Sequence, residues 1–155
     1  MKYLKKLILN ESSESDKELL EEAFIDIVQA GFTIKLNYAT SLKLNFPEEG
    51  VIPVHSISRY SDMKNQVEII NVYIQKLEGG VYRVPFRIEE ISENFDLVEN
   101  VLQSIGYKIE YIYIMFEIGV SNHWNYYDSF ETVETCMTGK KGAKLKQLTI
   151  AISKS

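Results

Sequence analysis

The sequence predicts an α+β fold in a single domain spanning 1–155, with a mostly antiparallel sheet and two helices packed on one of its faces. Three features carry that prediction. An eight-residue phrase occurs twice: Gly31-Phe32-Thr33-Ile34-Lys35-Leu36-Asn37-Tyr38 returns as Gly106-Tyr107-Lys108-Ile109-Glu110-Tyr111-Ile112-Tyr113. Each copy follows an acidic amphipathic stretch, the pattern of a helix that ends at a left-handed glycine and turns directly into a strand. Residues 32–46 then alternate with period two, and Glu78-Gly79-Gly80 separates two β-rich runs with glycines suited to the positive φ of a tight hairpin.

Lys2–Asn10 mixes Leu4, Leu7, Ile8 and Leu9 with lysines and stops at Glu11-Ser12-Ser13, which fits a first strand and a loop. Ser15-x-x-Glu18 has the form of a capping box. The helix it opens carries Leu19, Leu20, Ala23, Phe24, Ile27 and Val28 on one stripe that needs a sheet to cover it, and Gly31 ends it. In the next segment Phe32, Ile34, Leu36, Tyr38, Leu42, Leu44 and Phe46 are even and the polar residues mostly odd, so this strand has one wet face. Its length exceeds that of a typical strand, and a bend is expected near Ala39-Thr40-Ser41.

Pro47–Met63 holds two prolines and Gly50 and reads as a long, partly irregular connection. Gln66–Leu77 and Val81–Ile88 form the expected hairpin; Pro85 has no N–H to donate, which puts the second strand at an edge or a bulge. Ser92 is placed to cap a second helix whose stripe is Phe95, Val98, Val101, Leu102 and Ile105, closed by Gly106. Tyr107–Ile118 is apolar on both parities, as expected of the strand that forms the spine of the sheet. After the polar-aromatic segment Val120–Asp128, a last pair of strands, Phe130–Met137 and Leu145–Ile152, is expected across Thr138-Gly139-Lys140-Lys141-Gly142. The two helix-then-strand units together resemble a ferredoxin-like split βαβ core enlarged by extra strands. That resemblance concerns architecture only and implies no activity.

Composition excludes some classes of function. A 155-residue chain with 45% hydrophobic residues can bury a core without disulfides or metals. Its single cysteine, Cys136, forms no internal disulfide, no signal-peptide pattern opens the chain, and no apolar run approaches the roughly 20 residues of a membrane span. A cytoplasmic protein is the expectation. Net charge is −5, and Arg59, Arg83 and Arg87 are the only guanidinium groups, which disfavours nucleic acid as the partner. The Lys, Ile, Asn and Tyr richness fits an AT-rich genome, such as that of a low-GC bacterium or its phage.

No catalytic pattern converges. His55, His123 and Cys136 lack the paired spacing of a metal site, and no metal or cofactor is assigned. His123 and Cys136 lie close enough in sequence to meet across strands, so a small enzyme using this pair is one alternative. Gly139-Lys140-Lys141-Gly142 lacks the glycine spacing and following Ser or Thr of a phosphate-binding loop. The distinctive features are surface features. Glu14, Asp16, Glu18, Glu21, Glu22 and Asp26 crowd the first helix and Glu89, Glu90, Glu93, Asp96 and Glu99 the second, with Lys17 the single cation among them. The segment Asn122-His123-Trp124-Asn125-Tyr126-Tyr127 combines apolar area with polar handles. The expected function is therefore a non-enzymatic binding protein of the immunity, inhibitor or phage-borne anti-defence type. It would engage a protein, one with a basic surface, through Glu18, Glu22, Glu93, Asp96 and Glu99 or through His123, Trp124, Tyr126 and Tyr127. The other alternative is a structural assembly subunit, a homo-oligomer joined through exposed strand edges.

Overall fold

The computed structural model describes residues 16–118, 121–138 and 143–155. The expected first strand Lys2–Asn10, the Ser15 capping box and the Gly139–Gly142 tip lie outside them, and His123 is described for its backbone only.

The first helix comes in two pieces, α1 over 16–23 and α2 over Ile25–Gln29. Phe24 sits between them at φ −107°, and its N–H bonds the Glu21 carbonyl at 3.2 Å, a tighter turn than an α-helix makes. The break keeps Leu20, Ala23, Phe24 and Ile27 on the core and leaves Leu19 and Val28 exposed, so the buried stripe is narrower than the spacing predicts. Gly31, at φ +99°, reverses the chain into the edge strand β1 (Phe32–Leu44). Gly106, at φ +88°, does the same after the helix Phe95–Ser104. Both positions use the left-handed conformation that glycine adopts without steric cost.

β1 stays one strand across 39–41, and its irregularity is a register shift between Leu42 and Lys43 against the long strand β3 (Ser61–Glu78). The connection between them holds a short strand β2 (Val51–Pro53), a 3-10 turn and a one-turn helix α3 (Ile57–Tyr60). Beyond the Gly79-Gly80 turn, β4 (Tyr82–Val84) pairs with β3, whereas β5 (Phe86–Arg87) pairs with the strand Lys144–Lys154. The chain changes partner at Pro85, the residue that cannot feed a ladder. The expected hairpin strand Val81–Ile88 is therefore two fragments wedged between neighbours. Two 3-10 turns (Ile88–Glu90, Ser92–Asn94) lead into α4 (Phe95–Ser104); Asn94 stands at the cap position with no side-chain cap bond, so Ser92 is not the cap.

β6 (Tyr107–Ile118), β7 (Ser121–Tyr127), α5 (Phe130–Thr138) and β8 (Lys144–Lys154) complete the fold. Among the described residues the sheet has eight strands in the order β1-β3-β8-β6-β7-β2, with β4 and β5 off this path and every pairing antiparallel. This overturns the two-helix ferredoxin-like core. The sheet is larger and a further helix packs on it, while β6 shares the centre of the strand order with β8. The segment Phe130–Met137 is helix α5, not a strand. Phe130, Val133 and Met137 fall on one helical face and are buried, and Ser129 caps the helix by accepting the Thr132 N–H at 3.2 Å.

α1, α2, α4 and α5 share one hydrophobic core on one face of the sheet, with Val72, Ile74, Ile112, Ile114, Leu148 and Ile150 beneath them fully buried. Each such side chain contributes about 1.5–3 kcal/mol relative to exposure. On the opposite face the sheet folds over. β1 touches β6 although β3 and β8 lie between them, and Ser41 of β1 hydrogen-bonds the hydroxyl of Tyr111 on β6.

Candidate functional site

The fold separates the two groups of partner-binding candidates onto opposite surfaces. On the helical side Glu18, Glu22, Glu93 and Asp96 are exposed and Glu99 is half-buried. Glu21 and Asp26 of the first helix and Glu131 and Glu134 of α5 are exposed as well, and Lys17 is the one cation on these helices among the described residues. Acids near helix starts gain about 0.3–1 kcal/mol from the backbone dipole, which accounts for part of this distribution. The dipole does not account for the apolar side chains standing among them: Leu97 is 48% exposed, Ile25 47%, Val28 43% and Leu19 37%. Ile25 and Val28 line a groove of about 600 Å³ with Lys17, Glu21 and residues 32–36 of the edge strand β1.

The helix-free side carries a cluster of aromatic rings, with the Glu110 carboxylate beside Tyr111. Register builds two cross-strand rows there. Lys35, Tyr73, Thr149, Tyr113 and Tyr126 follow one another across β1, β3, β8, β6 and β7. Thr33, Gln75, Gln147, Met115 and Trp124 form the neighbouring row, in which the Gln75 amide donates to Gln147 Oε1 at 2.6 Å and Gln147 Nε2 donates to Thr149 Oγ1 at 3.0 Å. β8 contributes only short or amide side chains here, so the tyrosines of its neighbours lean over it and bury Thr149. Tyr126 packs against Tyr113 at 4.7 Å and edge-on against Tyr111 at 5.4 Å between ring centroids. Burial pushes the Tyr126 hydroxyl up to about 12, and those of Tyr111 and Tyr113 also upward, with the Ser41 hydrogen bond opposing the shift at Tyr111. These phenols stay protonated and serve as hydrogen-bonding surface, not as bases.

Of the aromatic candidates, Trp124 and Tyr126 lie half-buried on this face, within strand β7 and not in a loop. Tyr127 does not belong with them. It is 1% exposed, points to the helical core and accepts the Asn125 side-chain amide at 3.3 Å, because alternation along β7 sends neighbours to opposite faces. The His123 side chain lies outside the described residues, so its proposed meeting with Cys136 is not described. Cys136 lies partly buried against the core on α5, and His55 is exposed in the 3-10 turn after β2. Among the described residues no group of three or more His, Cys, Asp and Glu is disposed to hold a metal ion.

Sequence spacing alone did not single out Tyr73, Tyr111, Tyr113, Gln75 and Gln147. The signal was present in the odd-numbered tyrosines of β6, but only strand order shows that β3 and β7 bring matching rings alongside. Among the described helices none is long and apolar enough to cross a membrane. No protein-family model, no curated protein and no solved structure matches this chain.

Proposed function

We propose that the protein is a non-enzymatic binding protein of the inhibitor, immunity or anti-defence type, which engages a basic protein partner through its helical face. The observation that supports this is the placing of Leu97, Ile25, Val28 and Leu19 as exposed apolar anchors on the same side of the sheet as the acidic residues of the helices. These acids include Glu18, Glu21, Glu22, Asp26, Glu93, Asp96, Glu99, Glu131 and Glu134. A field of one sign steers a basic partner and sets orientation, while desolvated apolar anchors slow its departure. Charge alone would give a solubilising surface and would need no exposed Leu97 beside Asp96.

Reversing Glu93, Asp96 and Glu99 to Lys tests it against a partner recovered by affinity capture. Association should slow at least about tenfold and lose most of its salt dependence, while Leu97→Ala should chiefly speed dissociation. Unchanged rates in a variant with native circular dichroism would remove the helical face from the contact.

A further inference from the structure

We propose that the open edge of β1, with the groove beside it, takes an extended segment of the basic partner as an added strand. The inference rests on the basic partner proposed above and names the form in which that partner enters.

Backbone decides that form. β1 ends the strand order and, among the described residues, is paired along one side only, with β3. Alternate residues of such a strand turn their N–H and C=O groups outward, where a second extended chain can complete the ladder. The register against β3 runs unbroken from Phe32 to Leu42, and no proline or bulge blunts this stretch. The groove of about 600 Å³ is lined by five consecutive residues, Phe32 to Leu36. A groove lying over one face of the strand would touch only every second residue, so this one follows the backbone edge itself. A helix has its backbone groups satisfied internally and offers nothing to such a wall, whereas an extended main chain does.

The other wall sets the side chains. Ile25 and Val28 line it toward the start of β1, and Glu21 and Lys17 follow along the same helical region. A seven-residue strand beside 32–38 spans about 23 Å and turns alternate side chains to this wall. Apolar residues belong opposite Ile25 and Val28. Glu18, Glu21, Glu22 and Asp26 are exposed here against Lys17 on the helix and Lys35 on the strand, which leaves the surroundings acidic by two charges. Lys or Arg therefore belongs beyond the apolar pair, opposite Glu21 and Glu22. The alternate set, beside Thr33, Lys35 and Asn37, is best met by small polar residues. An acidic segment is opposed by the same field.

The probe is the peptide acetyl-Thr-Arg-Thr-Val-Thr-Ile-Thr-amide, titrated into the nitrogen-15-labelled full chain and followed by NMR. It should bind with a dissociation constant below about 1 mM, shift the amides of 32–38, Ile25 and Val28, and slow hydrogen exchange at alternate residues of β1. N-methylation of one alternate set of peptide residues should abolish binding and that of the other set should leave it, because only one set faces the edge. Ile25→Ser with Val28→Ser should weaken binding at least fivefold, and Glu21→Lys with Glu22→Lys at least tenfold. All four positions are exposed, so these variants keep the fold. No binding at about 5 mM overturns the proposal, as do shifts centred elsewhere or tolerance of both methylated sets. Outward amides of β1 that are already protected before peptide is added also overturn it. Protection independent of concentration would assign the edge to the chain's own residues, and protection that grows with concentration to a second copy. Failure of the peptide while reversal of Glu93, Asp96 and Glu99 still weakens the captured partner removes this inference alone. Binding as described with a captured partner indifferent to that reversal keeps the β1 site and removes the α4 contact.

Discussion

Gly50 and Asp128 are fitted to each other. The Gly50 carbonyl accepts the Asp128 N–H at 3.0 Å, and a Cβ on Gly50 would stand 2.7 Å from the Asp128 carboxylate oxygen. That carboxylate is itself engaged at the start of α5, accepting the hydroxyls of Thr132 at 2.5 Å and Ser129 at 3.2 Å. Gly50 is also held at φ +74°, where any L side chain is strained. Gly50→Ala should therefore cost about 2–4 kcal/mol, roughly half from backbone strain and half from displacing the Asp128 carboxylate from its two hydroxyl partners. Gly79→Ala, at φ +61° with open space around it, should cost only the strain, about 1–2 kcal/mol. Urea unfolding of the two variants separates the contributions; equal losses would mean that the carboxylate yields freely.

Phe130 stacks on Phe95 with ring centroids 4.2 Å apart and planes inclined by 14°, which joins α5 to α4. Both rings are buried. Phe130→Ala should lower stability by about 3–5 kcal/mol through lost burial and the cavity left behind. Thermal unfolding followed by circular dichroism should show one cooperative transition at lower temperature, whereas a loss below 1 kcal/mol would place α5 outside the core.

Acid should loosen the contact that pins β3 to the Ile88–Glu90 turn. Lys76 Nζ donates to Glu90 Oε1 at 2.7 Å and the Arg87 N–H to Glu90 Oε2 at 2.7 Å, and the Lys76 hydrogen bond chiefly holds the Glu90 carboxyl below its ordinary value of 4.5. A depressed folded-state pKa contributes stability that is present above 4.5 and lost as pH falls through the folded value. Both side chains are partly solvated, so the effect is modest. Glu90→Gln should flatten the stability-versus-pH curve below pH 4.5, and an unchanged slope there would count against the contact.

At the alkaline end Tyr126 should ionise late. Its raised value means the protonated phenol is favoured by folding, so stability is intact below 10 and declines as pH rises toward about 12. Absorbance at about 295 nm should show a tyrosine component titrating near 12, and Tyr126→Phe should delete it. Its persistence in that variant would assign the late phenol to another ring.

Local chemistry made much of this fold legible. Gly31 and Gly106 marked helix ends because a left-handed turn needs glycine, and the parity of 32–44 marked a strand because one face is wet. Phe130, Val133 and Met137 form a short apolar run that suits either period, and the helix start shows itself only in the fold, where Ser129 accepts the Thr132 N–H. The Phe24 break carries no proline or glycine and is imposed by packing, so nothing local announces it. The aromatic face was half visible through Trp124 and Tyr126. Tyr127 was grouped with them although a strand must send it to the other side, and Tyr73 and Tyr113 joined only through strand order.

β8 is the final described strand along the chain, yet by hydrogen-bonded pairing it is what connects β1 and β3 to β6, β7 and β2. A chain emerging in order can form each hairpin early but must hold both apart, with unsatisfied edges facing one another, until the central strand arrives to bridge them. Loop closure over such separations is slow. Closure of the sheet should therefore come late, and it should be unusually intolerant of lesions near Ile150, where the keystone must slide home.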